Sequence, residues 1–228
     1  MNKPIHIFVR HNNKSADRKT DVKPEWFSFQ KCFDSLITDN VDITVCLDGK
    51  MENHHVDFRG NEVIEFSGGS DHASFDFLLE TVVTKDLDAD TIVYLVEDDY
   101  MHRPGWDLVM IDAFQSFNVD YITLYDHPDK YFLPMYDPLQ SKVLVSKLSH
   151  WRSTPSTCNT YAGKMSTFKT HWDIHKLYCR PDVTHDGYDH TKFTHLWKEG
   201  SNLISCIPGY STHCENPFVS PLVDWGSL

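Results

Sequence analysis

The sequence lacks the features that would direct a protein to a membrane or to an oxidising compartment. None of its apolar runs approaches the length of a membrane span, and the run within residues 1–9 is too short for a signal peptide. Its six cysteines are scattered and include no CxxC pair, which argues against a zinc ribbon and a disulfide framework. We therefore expect a cytoplasmic protein with reduced thiols and no integral membrane segment.

Basic residues are scarce as well. The 228 residues include 21 lysines and arginines against 33 aspartates and glutamates, which gives a formal net charge of −12. So acidic a surface disfavours nucleic acid as a partner, because the phosphate backbone is itself negative. A small phosphate-bearing ligand would need a metal ion or a local basic pocket.

No internal repeat, low-complexity stretch or linker divides the chain, and its length fits one domain over residues 1–228. Apolar runs alternate with amphipathic helical patterns, which is typical of α/β proteins with a Rossmann-like, mostly parallel sheet flanked by helices. Loops are expected at residues 126–140 and 153–163. The predicted strands are residues 6–9, 42–47, 62–66, 91–96, 121–124, 142–146 and 203–207. The predicted helices are residues 24–36, 71–82, 104–117, 166–177 and 187–199.

The most informative motif is a strongly apolar strand that ends in three consecutive acids, Glu97, Asp98 and Asp99. Ligands of open α/β sheets bind just beyond the carboxyl ends of the strands. Three adjacent carboxylates repel one another, and a divalent cation with a preference for hard oxygen ligands, Mg²⁺ or Mn²⁺, would neutralise them. The alternative is an acidic turn in which Asp98 or Asp99 caps the next helix.

Several short motifs occur in a recognisable order along most of the chain. They are residues 26–28 with 32–33, 47–49, 68–70, 94–99 and 208–213. Their order resembles that of GT-A fold glycosyltransferases, in particular the small single-domain enzymes of large DNA viruses and phages. The resemblance implies a nucleotide-binding half at residues 1–125 and an acceptor half at residues 126–228, and a place in the host cytoplasm if the protein is viral.

The resemblance implies a metal site at the acidic turn. Asp99 matches the acid that binds the metal bridging the donor's diphosphate, and His213 matches a late histidine that completes the site. Asp98 would face the ribose or the sugar of the donor. The first acid is Glu97 rather than aspartate, which leaves its contact with the metal open. For His213 the alternative is an ordinary loop histidine.

Three further residues are expected to bind the nucleotide-sugar donor. Asp48, after the second strand, matches the acid that reads the base, although an aspartate before a glycine is also a common turn residue. Arg10, at the end of the first strand, matches the position that lines the base and phosphate pocket. Ser70 belongs to the glycine turn that precedes the second helix.

The chemistry of sugar transfer needs a base for the acceptor hydroxyl. Asp186, at the start of the helix predicted from Gly187, matches the region that supplies this base in inverting enzymes. Its alternative role is to cap that helix. Asp189 is the reserve candidate for the base.

These residues predict a metal-dependent glycosyltransferase of the hexosyltransferase type. It would transfer a sugar, with inversion, from a nucleotide-sugar donor, UDP-linked in our expectation, to a glycan or another hydroxyl acceptor, with Mn²⁺ or Mg²⁺ as cofactor. One alternative is a nucleotidyltransferase, which would be expected to carry a glycine-rich basic loop after the first strand; residues 10–19 contain no glycine. The other is a non-catalytic nucleotide- or carbohydrate-binding module, which would tolerate the loss of Asp186 and Asp189.

Overall fold

The strands form one large sheet and one small one in the computed structural model, which describes residues 3–12, 22–183 and 188–228. The large sheet has nine strands and the small one has two. The strands are β1 (Ile5–Asn12), β2 (Val41–Asp48), β3 (Glu62–Phe66), β4 (Ile92–Glu97), β5 (Tyr100–His102), β6 (Tyr121–Thr123), β7 (Val143–Val145), β8 (His150–Ser153), β9 (Tyr161–Lys164), β10 (Leu203–Ile207) and β11 (Ser211–His213).

Helices flank the large sheet, and α2 is the longest of those in the described ranges. None of these helices is both long and apolar enough to cross a membrane. The helices are α1 (Phe29–Asp34), α2 (Asp71–Thr84), α3 (Trp106–Ser116), α4 (Asp129–Phe132), α5 (Met165–Thr170), α6 (Trp172–Leu177) and α7 (Tyr188–Lys198).

The strand order in the large sheet is β3-β2-β1-β4-β9-β6-β10-β8-β7. The strands from β3 to β4 are parallel neighbours, β9 runs antiparallel between β4 and β6, and β10 is parallel to β6. In this sheet only β8 and β9 run against the direction of β1. The expected fold class, an α/β protein with a mostly parallel sheet between helices, is confirmed.

The sheet is buried on both faces, because successive side chains of a strand point to opposite sides. On β1, Ile7 packs in the same hydrophobic cluster as Trp106 of α3, and the next residue, Phe8, packs in a second cluster with Phe75 and Leu79 of α2. Ile7 and Phe8 have no exposed surface. This two-sided burial explains why the central strands read as continuous apolar runs rather than as alternating patterns.

The strand register determines which residues lie side by side at the base of the functional site. Arg10 on β1 lies opposite Glu97 on β4, and Asn12 at the end of β1 lies opposite Asp48 at the end of β2. The end of β2 in turn pairs with the end of β3 at Phe66. The carboxyl ends of four strands therefore meet at one edge of the sheet, as right-handed crossovers between parallel strands require.

The predicted helix at residues 24–36 starts later than expected. It begins at Phe29, where the Ser28 side chain caps it by accepting a hydrogen bond at 3.1 Å. Pro24 instead opens a turn, closed by a 3.0 Å hydrogen bond from Phe27 N to Pro24 O. The proline suits either role, so the start of the helix was decided by the cap rather than by the proline.

Part of the predicted loop at residues 153–163 is strand β9. The strand inserts between β4 and β6, and Ala162 and Gly163 leave little side chain for a pattern to show. A Cβ on Gly163 would lie 3.0 Å from the Tyr121 ring, so the close approach of the neighbouring strand requires glycine. The predicted helix at 166–177 is two short helices, α5 and α6.

Candidate active site

An open cavity of about 760 Å³ lies at the carboxyl edge of β1, β2 and β4. Its volume is in the range of small-molecule sites, and its place in the sheet is where open α/β folds bind ligands. Six of the predicted site residues lie within the described ranges, and all six line it together with the reserve base Asp189. These six are Arg10, Asp48, Ser70, Asp98, Asp99 and His213.

The acidic turn meets the C-terminal segment through the small sheet. The pairing of β5 with β11 places His213 opposite Tyr100, next to Asp99. The Nε2 atom of His213 lies 3.1 Å from Oδ2 of Asp99 and 3.8 Å from Oε2 of Glu215. One ligand atom from each of these three residues lies within 4.8 Å of the others, which fits a single metal ion.

Glu215 completes this group but was not among the sequence candidates. A signal for it exists in hindsight, because it follows His213 by two residues. In extended chain, residues at that spacing point to the same side. Two carboxylates and one imidazole are a ligand set that divalent metals accept in proteins.

Lys23 also reaches this group, although no sequence pattern pointed to it. Its Nζ lies 2.6 Å from Oδ2 of Asp99 and 3.6 Å from Oε2 of Glu215. Burial works to lower the pKa of Lys23, but the charges of Asp99 and Glu215 outweigh it and raise that pKa. Burial likewise works to raise the pKa of Asp99, but His213 and Lys23 hold it below its usual range. Asp99 is therefore ionised at neutral pH.

Glu97 is not part of the metal-ligand group and pairs with Arg10. The Arg10 guanidinium forms ion pairs with the carboxylates of both Glu97 and Asp71. Burial raises the pKa of Glu97, although the positive charge of Arg10 opposes that rise. Glu97 thus holds the guanidinium of Arg10 in place at the end of β1 through this ion pair.

Asp98 is tied to the end of β1. Its Oδ2 lies 3.0 Å from Nδ1 of His11 and accepts a 3.3 Å hydrogen bond from Asn12 N. The three acids of the turn therefore have three different sets of partners. Only Asp99 joins the metal-ligand group, while Asp98 borders the cavity from beside β1.

Asp48 orders the glycine turn before α2. Its two carboxylate oxygens accept hydrogen bonds from Gly68 N at 3.0 Å and Gly69 N at 3.2 Å. Ser70 then caps α2 by accepting a 3.2 Å hydrogen bond from Ala73 N. The turn role of Asp48 is therefore visible in the structure, and its position in the cavity lining keeps the base-reading role as a prediction.

Asp186, the predicted base, lies outside the described residues, but Asp189 lies within them. Asp189 is the second residue of α7 and lines the cavity. Its Oδ1 is buried and accepts no hydrogen bond from any residue in the described ranges. Burial raises the pKa of Asp189 to about 7, against the opposing charges of Lys192 and Arg10. A carboxylate of this pKa that lines the cavity suits a general base.

Lys192 is a fully buried cation one turn along α7 from Asp189. Its Nζ donates a 2.5 Å hydrogen bond to Oδ1 of Asn159 and lies 4.6 Å and 4.8 Å from the ring centroids of Phe75 and Tyr161. Burial lowers its pKa, while Asp189 opposes that effect. Sequence analysis missed Lys192, because a lysine in a polar helix ordinarily reads as a surface residue.

Similarity to known proteins is limited to structure. No protein-family model matches the chain, and no curated protein sequence matches it. The structure is similar to that of CMP:2-keto-3-deoxy-manno-octonic acid synthetase complexed with CTP, with a TM-score of 0.53 and 13% identity over 91% of this chain and 92% of that chain. It is also similar to residues 1–349 of TarS from S. aureus, with a TM-score of 0.53 and 11% identity over 92% of this chain and 59% of that chain.

These similarities show the fold. The chain has a mixed α/β fold that matches enzymes of the nucleotidyl- and glycosyltransferase type. Such a fold is consistent with the expected GT-A-like architecture. The likeness to viral and phage enzymes stays a prediction.

Proposed function

We propose that this protein is a metal-dependent glycosyltransferase of the hexosyltransferase type. It would transfer a sugar, with inversion, from a UDP-linked donor to a hydroxyl acceptor such as a glycan. The observation that carries the proposal is one cavity, in a transferase-type fold, that is lined both by a metal-ligand group and by a carboxylate whose buried Oδ1 has no hydrogen-bond partner among the described residues. These are the Asp99, His213 and Glu215 group and Asp189.

The donor would lie over the carboxyl ends of β1, β2 and β4. Asp99, His213 and Glu215 are the residues that would hold Mn²⁺ or Mg²⁺. Such an ion would stabilise the negative charge that develops on the departing nucleoside diphosphate. The start of α2, capped by Ser70, adds a positive helix-dipole end at the cavity wall, and Arg10 adds a guanidinium beside it.

Asp189 would act as the base. It would accept the proton of the acceptor hydroxyl as that oxygen bonds to the anomeric carbon, while the bond from the anomeric carbon to the diphosphate oxygen breaks. A single displacement of this kind inverts the configuration at the anomeric carbon. Asp186 stays a candidate for the same role, because it precedes α7 by two residues.

The two halves of the chain would divide the work. Residues 1–125 supply the strand ends that would bind the donor, and residues 126–228 supply α7 with Asp189 as the acceptor wall. We place the reaction in the cytoplasm, of the host if the protein is viral. The free thiols of all six cysteines support a reducing compartment.

A thermal-shift series tests the donor and the metal together. Ligands that bind only the folded state raise the melting temperature. We expect a UDP-sugar with Mn²⁺ to raise it more than either does alone, and the Asp99→Ala and His213→Ala variants to lose that increment. A wild-type protein that responds to no nucleotide sugar in the presence of Mn²⁺ would rule the proposal out.

A nucleotidyltransferase is the second candidate. The similarity to a synthetase complexed with CTP, over 92% of that chain, favours it. In that reaction an acceptor oxygen attacks the α-phosphorus of a nucleoside triphosphate and pyrophosphate leaves. Pyrophosphate release from CTP with a sugar acid would support this candidate, whereas release of a nucleoside diphosphate from a nucleotide sugar supports the glycosyltransferase.

A further inference from the structure

Lys23 places a positive charge inside the candidate metal-ligand group. Its Nζ lies 2.6 Å from Oδ2 of Asp99, the same oxygen that lies 3.1 Å from Nε2 of His213. The second acid of the group, Glu215, lies 3.6 Å from the same Nζ. The side chain of Lys23 is only 7% exposed, so this is not a mobile surface lysine.

The backbone around Lys23 is held against the segment that carries Glu215. The carbonyl of Val22 accepts a 2.7 Å hydrogen bond from Asn216 N, next to Glu215 in the chain. The ammonium also lies 5.2 Å from the centroid of the Phe27 ring, which is a cation–π contact. The Lys23 ammonium is thus positioned by two contacts, the backbone hydrogen bond to the segment of Glu215 and the contact with the Phe27 ring.

A metal ion and this ammonium would use the same oxygen. Metal–oxygen distances are about 2.0–2.1 Å for Mg²⁺, so an ion on Oδ2 of Asp99 and an ammonium 2.6 Å from that oxygen would be close neighbours. Two positive charges at such separation repel strongly when they are shielded from water. We propose that Lys23 is a built-in cation that occupies the metal position in the protein without bound metal, and that Lys23 and the metal compete for Asp99. The inference rests on the metal site of the proposed function.

Two consequences follow from this competition. Without metal, Lys23 compensates the buried charge of Asp99, and its removal leaves that charge with fewer partners. With metal, the displacement of Lys23 reduces the observed affinity, because only the fraction of molecules with the ammonium moved away can bind. Lys23 would therefore weaken metal binding while it stabilises the metal-free fold.

Calorimetric titration of the full chain with Mn²⁺ alone tests the first effect. We expect Lys23→Met to lower the Mn²⁺ dissociation constant by about tenfold or more, as for a site in which the competent fraction is ~10% in the wild type. Lys50→Met is the matched control, because it removes the same charge from the lining of the adjoining cavity. Lys50 pairs with Glu65 at 2.9 Å, away from the metal-ligand group, and its removal should change the dissociation constant far less.

Thermal unfolding of the same variants gives a readout independent of metal affinity. Lys23→Met should melt below the wild type without metal and should gain more from added Mn²⁺ than the wild type does. If that variant does not fold without metal, Lys23→Gln serves in both measurements, since it keeps a polar end without the charge.

The outcomes separate this inference from the proposed function. The competition is overturned if the wild type binds Mn²⁺ and Lys23→Met binds it no more tightly. It is also overturned if Lys50→Met tightens Mn²⁺ binding as much as Lys23→Met does. In both cases the metal site itself would stand. If neither the wild type nor Lys23→Met binds Mn²⁺ at millimolar concentration, the competition and the metal dependence of the proposed function fail together.

Discussion

At the scale of single residues, the burial of Asp189 explains both its raised pKa and its suitability as a proton acceptor. Oδ1 of Asp189 is buried without a hydrogen-bond donor from the described residues, and burial raises the pKa of Asp189 to about 7. An ionised but unpaired carboxylate is costly in a folded protein, and such cost is commonly found where function requires it. A proton acceptor near neutral pH is the function that fits.

Replacement of Asp189 by asparagine should lower the turnover number on the order of 10²–10⁴-fold, because a positioned base contributes about that factor. Binding of UDP with Mn²⁺ should change little, since Asp189 is not among the metal-ligand group. The comparison with Asp186→Asn decides between the two acids. Wild-type turnover in Asp189→Asn, with a loss in Asp186→Asn, would transfer the role to Asp186.

Lys192 should shift the pH dependence of that turnover. Its positive charge lowers the pKa of Asp189, so Lys192→Met should raise that pKa and move the acid limb of the turnover–pH profile to higher pH. Lys198→Met, at an exposed position of the same helix, should leave the limb in place. This effect of Lys192 is contradicted if the acid limb of Lys192→Met moves to lower pH. It is also contradicted if the limb moves equally in Lys192→Met and Lys198→Met.

Asp48 has two possible roles that one pair of measurements separates. Asp48→Ala should raise the dissociation constant of UDP roughly two- to tenfold, because a lost hydrogen bond costs about 0.5–1.5 kcal/mol. If Asp48 reads the base, binding of pyrophosphate with Mn²⁺ should not change. If its only role is to order the turn at Gly68 and Gly69, affinity for both ligands should fall together.

The sequence allowed part of the site to be predicted. Asp99 and His213 could be paired because the resemblance to GT-A fold glycosyltransferases matches both to one metal site. Lys23 and Lys192 could not be found, because their positions depend on how a turn packs on the C-terminal segment and how α7 packs on α2. Local patterns carry no trace of such long-range contacts.

At the scale of elements, two features build the site. The glycine turn before α2 packs closely, and the short pairing of β5 with β11 carries His213 to Asp99. Both strands of that pair have three residues, too few for an alternating pattern to show in the sequence. The central parallel strands were predictable because their apolar runs are long and their crossovers obey a handedness rule.

The glycine turn gives a prediction at this scale. A Cβ on Gly68 would lie 2.8 Å from the Phe66 ring and 3.3 Å from Ser74 N. Gly68→Ala should therefore destabilise the fold by about 1–3 kcal/mol and also weaken UDP binding, because the turn and the start of α2 must shift. Chemical denaturation and calorimetric titration measure the two effects.

Gly60→Ala is the control for that variant. Gly60 has a φ of +75° and no neighbour within 4 Å of the added Cβ, so its substitution strains the backbone outside the cavity lining. It should cost about 1–2 kcal/mol of stability without a change in UDP affinity. Equal losses of affinity in both variants would mean that stability, not the turn, governs binding.

At the scale of the whole molecule, a net charge of −12 makes it hard to bind a phosphate-bearing ligand. Arg10 at the cavity and Lys23 beside it are both paired with carboxylates, and acidic side chains outnumber basic ones in the cavity lining. A bound metal ion would therefore supply the positive charge that a diphosphate needs there. The second half of the chain was less predictable than the first, because β8 and β9 join the sheet against its main direction and are short.

The central claim is most directly tested by UDP release from UDP-sugars, measured with and without Mn²⁺ and without an added acceptor. Water can replace the acceptor hydroxyl, so we expect slow release by the wild type that requires Mn²⁺, is lost in His213→Ala and is strongly reduced in Asp189→Asn. The account is contradicted if no UDP-sugar is cleaved, or if cleavage proceeds equally without Mn²⁺ and in His213→Ala.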